Sequence, residues 1–234
     1  MEHLNELRTR IIYCIIYFVL GSVVGFLVTD RFLFQWLLSP ILKIPEAHLQ
    51  VLGPEEKISS FFKTSFIAGA VIALPFMMHQ VWLFLKPGLK AHERRYVLTL
   101  LPASILLFLA GASFVFFIMI PTALNILIGF DPGGIDIAAD ITLDRYFSFV
   151  LLLILAGGLI FQIPVLTYFL AKLGLVSKQE LASQRKIAVV ATVFLAAILT
   201  PTGDPINLML LSVPIYVLYE LSIIIAGAAY KKQE

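Results

Sequence analysis

Long apolar runs dominate the chain and predict helices that cross a membrane. A helix needs about 20 apolar residues to span the hydrocarbon core of a bilayer. Four runs meet this length, at residues 11–29, 58–85, 97–119 and 146–171. The first follows a charged segment, as in a secretory signal, but it is longer than the roughly 7–15 residues of a signal's apolar part and no small-x-small cleavage site follows. We therefore predict a retained transmembrane helix there.

Two further apolar runs are marginal in length. Residues 187–199 comprise 13 residues and reach only about 20 Å at a helical rise of ~1.5 Å per residue. The last run begins near Ile206 and is interrupted at Glu220. Between them, residues 200–205 contain two prolines and a glycine and predict a tight turn. We predict an all-α membrane protein of six transmembrane helices, the last two short.

Prolines inside the predicted spans indicate bent helices. Each removes a backbone hydrogen bond, which membrane helices tolerate where neighbours restore it. Bent helices around a shared axis form a curved, concave bundle, although prolines are also simply common in membrane helices. These prolines are Pro75, Pro102, Pro164 and Pro214. No linker or internal repeat divides the chain, so we predict a single domain over residues 1–234.

The composition agrees with a membrane protein and offers little to catalysis. The chain is 60% hydrophobic and 14% charged, whereas a soluble domain is roughly 45–50% apolar and about 25% charged. The single Cys14 allows no intramolecular disulfide, and the four histidines do not cluster at metal-ligand spacing. Hydrolase, zinc-protease and P-loop motifs are absent. We expect no enzyme activity, metal or cofactor.

The distribution of basic residues predicts the orientation in the membrane. With six spans, twelve of the 17 lysines and arginines fall on one side, in both terminal segments and in loops 86–95 and 172–186. The opposite loop 131–144 holds four aspartates. Because basic loops stay in the cytoplasm, both termini are expected there. Residues 30–57 are expected to form a structured cap on the outer side.

Carboxylates near the cytoplasmic interface are the first candidates for function. Glu2, Glu6 and Arg10 share a face of the first helix, and Glu93 lies in the basic loop 86–95. An i, i+4 ion pair and a solvated loop are the simpler interpretations. Two carboxylates at a low-dielectric interface are, however, also a natural receptor for guanidinium groups, which pair with them bidentately.

Other polar residues lie within or at the ends of the later spans. Gln162 must find hydrogen-bond partners, by bracing a neighbouring helix or by lining a polar cavity. Asp204 is placed to cap the helix that follows it. Glu220 lies about 24 Å further along that helix, near the cytoplasmic surface and beside Lys231 and Lys232.

Motifs along nearly the whole chain, in this order, resemble the TatC family of the twin-arginine protein translocase. The motifs are His3-Leu-x-Glu6-Leu-Arg8-x-Arg10, Ser39-Pro40, Gln80-Val-Trp82-x-Phe84-x-x-Pro87-x-Leu89-x-x-His92-Glu93-Arg94-Arg95, Phe161-Gln162-x-Pro164, Leu199-Thr200-Pro201 with Asp204, and Leu218-Tyr219-Glu220.

The resemblance implies a glove-like bundle of six helices in the cell inner or plasma membrane. It implies a cytoplasmic receptor for the twin-arginine signal peptides of folded proteins. It also implies export driven by the protonmotive force, without a cofactor. The implied partners are TatA- and TatB-type single-span subunits, which dock in part near the last two helices, and further copies of the chain within the receptor complex.

The resemblance also assigns roles to particular residues. Signal-peptide contacts are implied at Glu6 and Glu93, and the surrounding motif residues Arg8, Arg10, Phe84, His92, Arg94 and Arg95 belong to the same site. Polar or partner contacts within the membrane are implied at Gln162, Thr200, Asp204, Asn207 and Glu220, and structural roles at Pro40, Pro87, Pro164 and Pro201.

Two departures from the family pattern matter. Many members carry glutamate where this chain has Gln162, which weakens any role in carrying a proton. The turn after Pro201 is one residue longer than the commonest form, so the expected polar residue corresponds to Asn207 or is replaced by Leu208. A secondary transporter of a small solute and a purely structural anchor remain the alternatives, although a transporter needs charge near the midplane, where only Gln162 is available.

Overall fold

Helices make up most of the chain that the computed structural model describes, namely residues 2–45, 47–85, 94–129, 139–199 and 205–230. The helices in these residues are α1 (Glu2–Val28), α2 (Phe34–Leu38), α3 (Glu55–Leu85), α4 (Arg94–Phe114), α5 (Ile120–Ile128), α6 (Leu143–Ile160), α7 (Ile163–Lys172), α8 (Lys178–Ser183), α9 (Arg185–Leu199) and α10 (Pro205–Tyr230). Two short strands accompany them, β1 (Ala47–Gln50) and β2 (Ala139–Thr142). The predicted helical class is confirmed.

Five helical runs in the described residues are long and apolar enough to cross a membrane. They are Asn5–Lys43, Glu55–Phe84, Leu100–Ile128, Leu143–Lys172 and Leu208–Ala229. Helix α9 has 15 residues and reaches about 22 Å at ~1.5 Å per residue, less than the hydrocarbon thickness. Each of the six predicted helical segments therefore exists, and five of them have spanning length.

The first helical run extends beyond its predicted end at residue 29. Helix α1 passes through a π-helical turn at Thr29–Leu33 directly into α2. No proline or glycine occurs between Gly25 and Pro40, so no residue of the breaking type ends the helix there. After Pro40, which is buried, a 3-10 turn at Ile41–Lys43 leads to β1.

The prediction of a short last helix is wrong. Helix α10 has 26 residues, about 39 Å at the helical rise, and continues past Glu220 without interruption. The carboxylate of Glu220 is paired with Arg185 and Tyr216, so its charge is compensated within the helical arrangement. Of the last two predicted spans, only α9 is short, as predicted.

The fourth predicted span is divided at residues 161–162, between α6 and α7. Pro164 lies in the first turn of α7, and it lacks the N–H group that would bond to the carbonyl of Ile160 in a continuous helix. The bend expected at this proline is therefore matched by a helix end. The other three predicted bends lie inside helices that continue through them, at Pro75, Pro102 and Pro214.

The chain forms two compact units, one of Met1–Ala91 with Phe116–Leu152 and the other of His92–Val115 with Leu153–Glu234. In the first unit, α1 and α3 pack antiparallel through small residues. A Cβ atom added at Gly25 would collide with the carbonyl oxygen of Ser65 and lie 2.6 Å from the amide nitrogen of Gly69. Such close backbone approach is typical of membrane helix pairs.

Aromatic contacts fix the segment after α1 in the first unit. The Trp36 ring stacks on Phe116 with centroids 3.9 Å apart, and the Tyr146 hydroxyl donates to the Leu37 carbonyl at 2.7 Å. The structure expected in residues 30–57 is present in the described part of this segment, and its location on the outer side stays a prediction. The parallel pairing of β1 with β2, from Ala47↔Ala139 to Gln50↔Thr142, was not predicted, because four-residue strands leave almost no periodic signal.

A buried lysine supports the end of α10 in the second unit. Lys172, 2% exposed, donates from Nζ to the carbonyl of Ala229 at 3.0 Å. The last carbonyls of a helix receive no hydrogen bond from N–H groups of the same helix, so the lysine supplies a donor. Its positive charge also complements the helix dipole. Next to this contact, Ala171, Ala226 and Ala229 form a small buried core.

Enlarging Gly25 is expected to destabilise the first unit. Gly25→Ala adds one methyl group where backbone atoms of α3 already lie, so overpacking should cost about 1–3 kcal/mol. Thermal unfolding of the purified protein in detergent measures the effect. Val24→Leu adds a methylene at the neighbouring exposed position and should leave the melting temperature unchanged. Equal melting temperatures for both variants would contradict the close packing.

Candidate functional site

The first turns of α1 form a polar cluster with the last turns of α3. The Arg10 guanidinium donates from Nη2 to Oε1 of Glu6 at 3.3 Å and from Nη1 to Oε1 of Gln80 at 3.0 Å. Glu6 and Arg10 are one helical turn apart, and the antiparallel packing of α1 and α3 brings Gln80 to the same end. The shared face and the i, i+4 ion pair expected from the sequence are confirmed.

The cluster is partly accessible and incompletely satisfied. The side chains of Arg10 and Glu6 are 26% and 28% exposed, whereas Gln80 is 5% exposed. Within the described residues, Oε2 of Glu6 accepts no hydrogen bond and the buried Nε of Arg10 has no acceptor. The carboxylate can therefore meet a further cationic group without a change in the helices.

The other residues expected at this site are only partly described. Arg8 is exposed on α1, and Phe84 is half-buried near the end of α3. Arg94 and Arg95 are the first residues of α4, and only their backbone is described. His92, Glu93 and Pro87 lie outside the described residues.

Gln80 is the member of the cluster that sequence reasoning missed. It belongs to one of the family motifs, but a single amide in an apolar run does not by itself indicate a polar cluster. Its position does point to the site, because Gln80 lies one helical turn before Phe84, which was predicted to belong to it.

In the second unit, the amide of Gln162 braces two helices. Its Nε2 donates to the carbonyl of Ser104 on α4 at 3.0 Å, with the Gly158 carbonyl of α6 at 3.5 Å. Gln162 is 6% exposed and lies at the break between α6 and α7. This geometry fits the bracing interpretation and leaves the donor group fully used.

Glu220 is engaged in a second polar network of the same unit. Arg185 at the start of α9 contacts it through Nε at 2.8 Å and Nη2 at 2.9 Å, one contact to each carboxylate oxygen. The Tyr216 hydroxyl also donates to Glu220 at 2.9 Å, and that of Tyr219 donates to the Leu181 carbonyl at 2.6 Å. The network ties α9 and the segment before it to the middle of α10.

The remaining candidates of the second unit are not described in full. Thr200, Pro201 and Asp204 lie outside the described residues, as do Lys231 and Lys232, which were expected beside Glu220. Asn207 lies in the first turn of α10, and only its backbone is described. In the part of the chain that is described, no group of three or more histidine, cysteine or acidic side chains is placed to hold a metal ion.

Comparison with known proteins gives consistent matches over almost the whole chain. The family model for the Sec-independent protein translocase protein (TatC) matches residues 2–214. A Sec-independent protein translocase protein TatC of Aquifex aeolicus (strain VF5) is 39% identical over 100% of this chain and 96% of its own length. One of Carboxydothermus hydrogenoformans is 38% identical over 96% of this chain and 91% of its own.

Solved structures agree with the sequence matches. A crystal structure of the twin-arginine translocase receptor TatC superposes with a TM-score of 0.87 at 39% identity, over 97% of this chain and 99% of that one. A second, in the detergent DDM, gives a TM-score of 0.88 at the same identity. The family resemblance inferred from the motifs is confirmed.

Replacing Gln162 is expected to loosen the brace between α4 and the α6–α7 break. Gln162→Leu removes the donor to Ser104 and should cost about 1 kcal/mol in unfolding free energy. In Gln162→Glu, only the protonated carboxyl can donate to this carbonyl, so stability should fall as pH rises. Thermal unfolding across pH measures both, with the exposed Gln179→Leu as control. A pH-independent Gln162→Glu variant would contradict the donor role.

Reversing the Arg185–Glu220 pair tests the second network. Arg185→Glu places two carboxylates together and should lower the melting temperature, and adding Glu220→Arg should restore most of the loss. Lys186→Glu makes the same charge change at the adjacent exposed residue and serves as the control. If the double variant is no more stable than Arg185→Glu alone, the pair does not hold α9 to α10.

Proposed function

The chain belongs to the TatC family of Sec-independent protein translocase proteins, and we propose that it receives twin-arginine signal peptides at the cytoplasmic face of the membrane through Glu6 and Glu93. Family membership makes it a multi-pass membrane component of the twin-arginine translocase and not an enzyme. A secondary transporter of a small solute, the alternative considered from the sequence, is not favoured by these matches.

The proposal rests on the state of the Glu6 carboxylate. It is partly exposed, it lies in the first turns of α1, and in the described residues it uses only one oxygen, in a contact with a guanidinium. An arginine side chain is therefore the chemical partner that this carboxylate already binds. The free oxygen leaves room for the bidentate contact that an incoming arginine prefers.

Two arginines in the ligand require a second acceptor. Glu93 is proposed for this role from its position in the family motif, together with Arg8, Arg10, His92, Arg94 and Arg95 as neighbours of the bound segment. Phe84, half-buried near the end of α3, is proposed to contact an apolar residue beside the arginine pair. This arrangement requires the start of α1 to face the cytoplasm, which the excess of basic residues on that side supports.

The surface of α9 supports the proposed docking of TatA- and TatB-type single-span subunits. Four large apolar side chains lie along one face at helical spacing, each more than 60% exposed, at Ile187, Val190, Phe194 and Ile198. Because this face is apolar and exposed, a neighbouring apolar helix would cover it within the bilayer.

We further propose polar contacts on the translocation or partner side, at Gln162, Thr200, Asp204 and Asn207. We place the receptor complex, which contains further copies of the chain, in the cell inner or plasma membrane. Export through this complex is proposed to be driven by the protonmotive force.

Replacing Glu6 is expected to abolish much of the signal-peptide binding. Glu6→Gln keeps the shape but removes the charge, so a photo-crosslinking Arg-Arg signal peptide should label the protein at least about tenfold less in membranes. A Lys-Lys peptide should label the original chain as weakly as the Arg-Arg peptide labels Glu6→Gln. Glu55→Gln, an exposed carboxylate at the other end of α3, is the control.

The same membranes separate receptor from anchor and transporter. Insertion of every variant is checked by its resistance to alkaline extraction. Normal labelling of both Glu6→Gln and Glu93→Gln, at normal insertion, would refute the proposed site. Substrate-dependent ion flux in liposomes containing only this protein would instead support the transporter alternative.

A further inference from the structure

Arg10 occupies the carboxylate that the proposed ligand needs. Its Nη2 lies 3.3 Å from Oε1 of Glu6, and it reaches this position from one turn further along the same helix. The contact is of the kind that an arginine of a signal peptide would make. An arginine of the chain itself is therefore already bound at Glu6.

We propose that Arg10 is an internal competitor for the signal peptide: it neutralises Glu6 in the empty receptor and is displaced when an arginine of the ligand binds. This inference rests on the proposed function of Glu6 and adds a residue that sets the affinity of that site. Arg10 then lies beside the bound segment but acts against its binding, instead of contributing a contact to it.

The Glu6–Arg10 pair is built to exchange. It has a single hydrogen bond of 3.3 Å, longer than the roughly 2.7–2.9 Å of strong charge-assisted bonds. Both side chains are about a quarter exposed, so solvent screens their attraction. Pairs of this type on helices change an equilibrium constant by only about twofold. An incoming guanidinium that engages both oxygens of Glu6 can therefore replace Arg10 at small cost.

Gln80 gives Arg10 a place to remain after displacement. The Gln80 side chain is 5% exposed, and its Oε1 accepts from Nη1 of Arg10 at 3.0 Å independently of Glu6. The buried Nε of Arg10 has no acceptor in the described residues, so its present position is incompletely satisfied. Release of Glu6 therefore breaks one contact of Arg10 and leaves the Gln80 contact intact.

Internal competition makes a quantitative prediction about selectivity. Displacing Arg10 costs the same free energy whichever ligand binds. The competitor therefore lowers the affinity of every ligand of Glu6 by the same factor. Removing it should tighten binding of Arg-Arg and Lys-Lys peptides equally and leave their ratio unchanged. A residue that contacted the peptide directly would instead change that ratio, since guanidinium and ammonium differ in geometry.

The test is a binding titration with the full chain in lipid nanodiscs. A fluorescent signal peptide, in Arg-Arg and Lys-Lys forms, is titrated against the original chain, Arg10→Gln, Glu6→Gln and the double variant. Glutamine at position 10 keeps a neutral donor for Gln80. Arg10→Gln should tighten both peptides by about twofold. In the Glu6→Gln background the same change should give no gain. Lys186→Gln, which removes one exposed basic charge elsewhere, should change neither affinity.

The outcomes separate this inference from the proposed function. If Glu6→Gln weakens binding but Arg10→Gln does not tighten it, the competitor role is wrong and the receptor site stands. A gain that persists in the Glu6→Gln background is a general charge effect and also overturns the competitor role. If Glu6→Gln leaves the affinity unchanged, both proposals fail. Should Arg10→Gln not fold, Arg10→Met keeps an unbranched side chain but has no donor for Glu6, and it must give an affinity above that of the original chain.

Discussion

The cost of an unpaired polar group in a bilayer governs this structure. Water is absent from the hydrocarbon core, so buried charges and amides must find partners within the protein. Two contacts of buried groups show this: Gln162 binds the Ser104 carbonyl and Lys172 binds the Ala229 carbonyl. Two ion pairs of partly exposed groups also join distant segments, Lys63 with Asp144 at 2.6 Å and Arg185 with Glu220. Each contact compensates a polar group and also fixes one helix against another. Polar residues in this chain are therefore positioning elements first, and a candidate for function must be a polar group whose bonds are incomplete.

Glu6 and Arg10 meet that criterion because of how α1 and α3 pack. The glycines of α1 allow its backbone to approach α3 closely, since a Cβ atom at Gly21 would lie 2.9 Å from that of Ala73. Nearer the end of the same helix pair, Oε1 of Gln80 lies 3.0 Å from Nη1 of Arg10. Gln80 accepts only one of the guanidinium donors, so Arg10 is held but not saturated. The pairing of α1 with α3 therefore places an acceptor from one helix beside the arginine of the other.

The sequence predicted the parts of this arrangement that depend on local pattern. Apolar runs of sufficient length located the helices, and i, i+4 spacing located the Glu6–Arg10 pair. It did not predict the features that depend on distant partners. The helix continues past Glu220, whose charge is paired with Arg185, 35 positions away. The strand at Ala47–Gln50 exists because Ala139–Thr142 lies beside it. Gln80 was missed for the same reason, since its spacing to Phe84 gives only its position along α3 and not the contact with an arginine of α1.

An internal partner resolves a conflict that any carboxylate receptor in a membrane protein faces. A carboxylate at a low-dielectric interface binds a guanidinium well because water competes poorly there, but the same environment penalises the carboxylate while it is empty. A strong internal ion pair would remove the penalty and also block the ligand. The single long contact from Arg10, with Gln80 holding the rest of the guanidinium, neutralises Glu6 without binding it tightly. The weakness of this pair, which makes it unimportant for stability, is therefore what would keep the proposed receptor site open to a ligand.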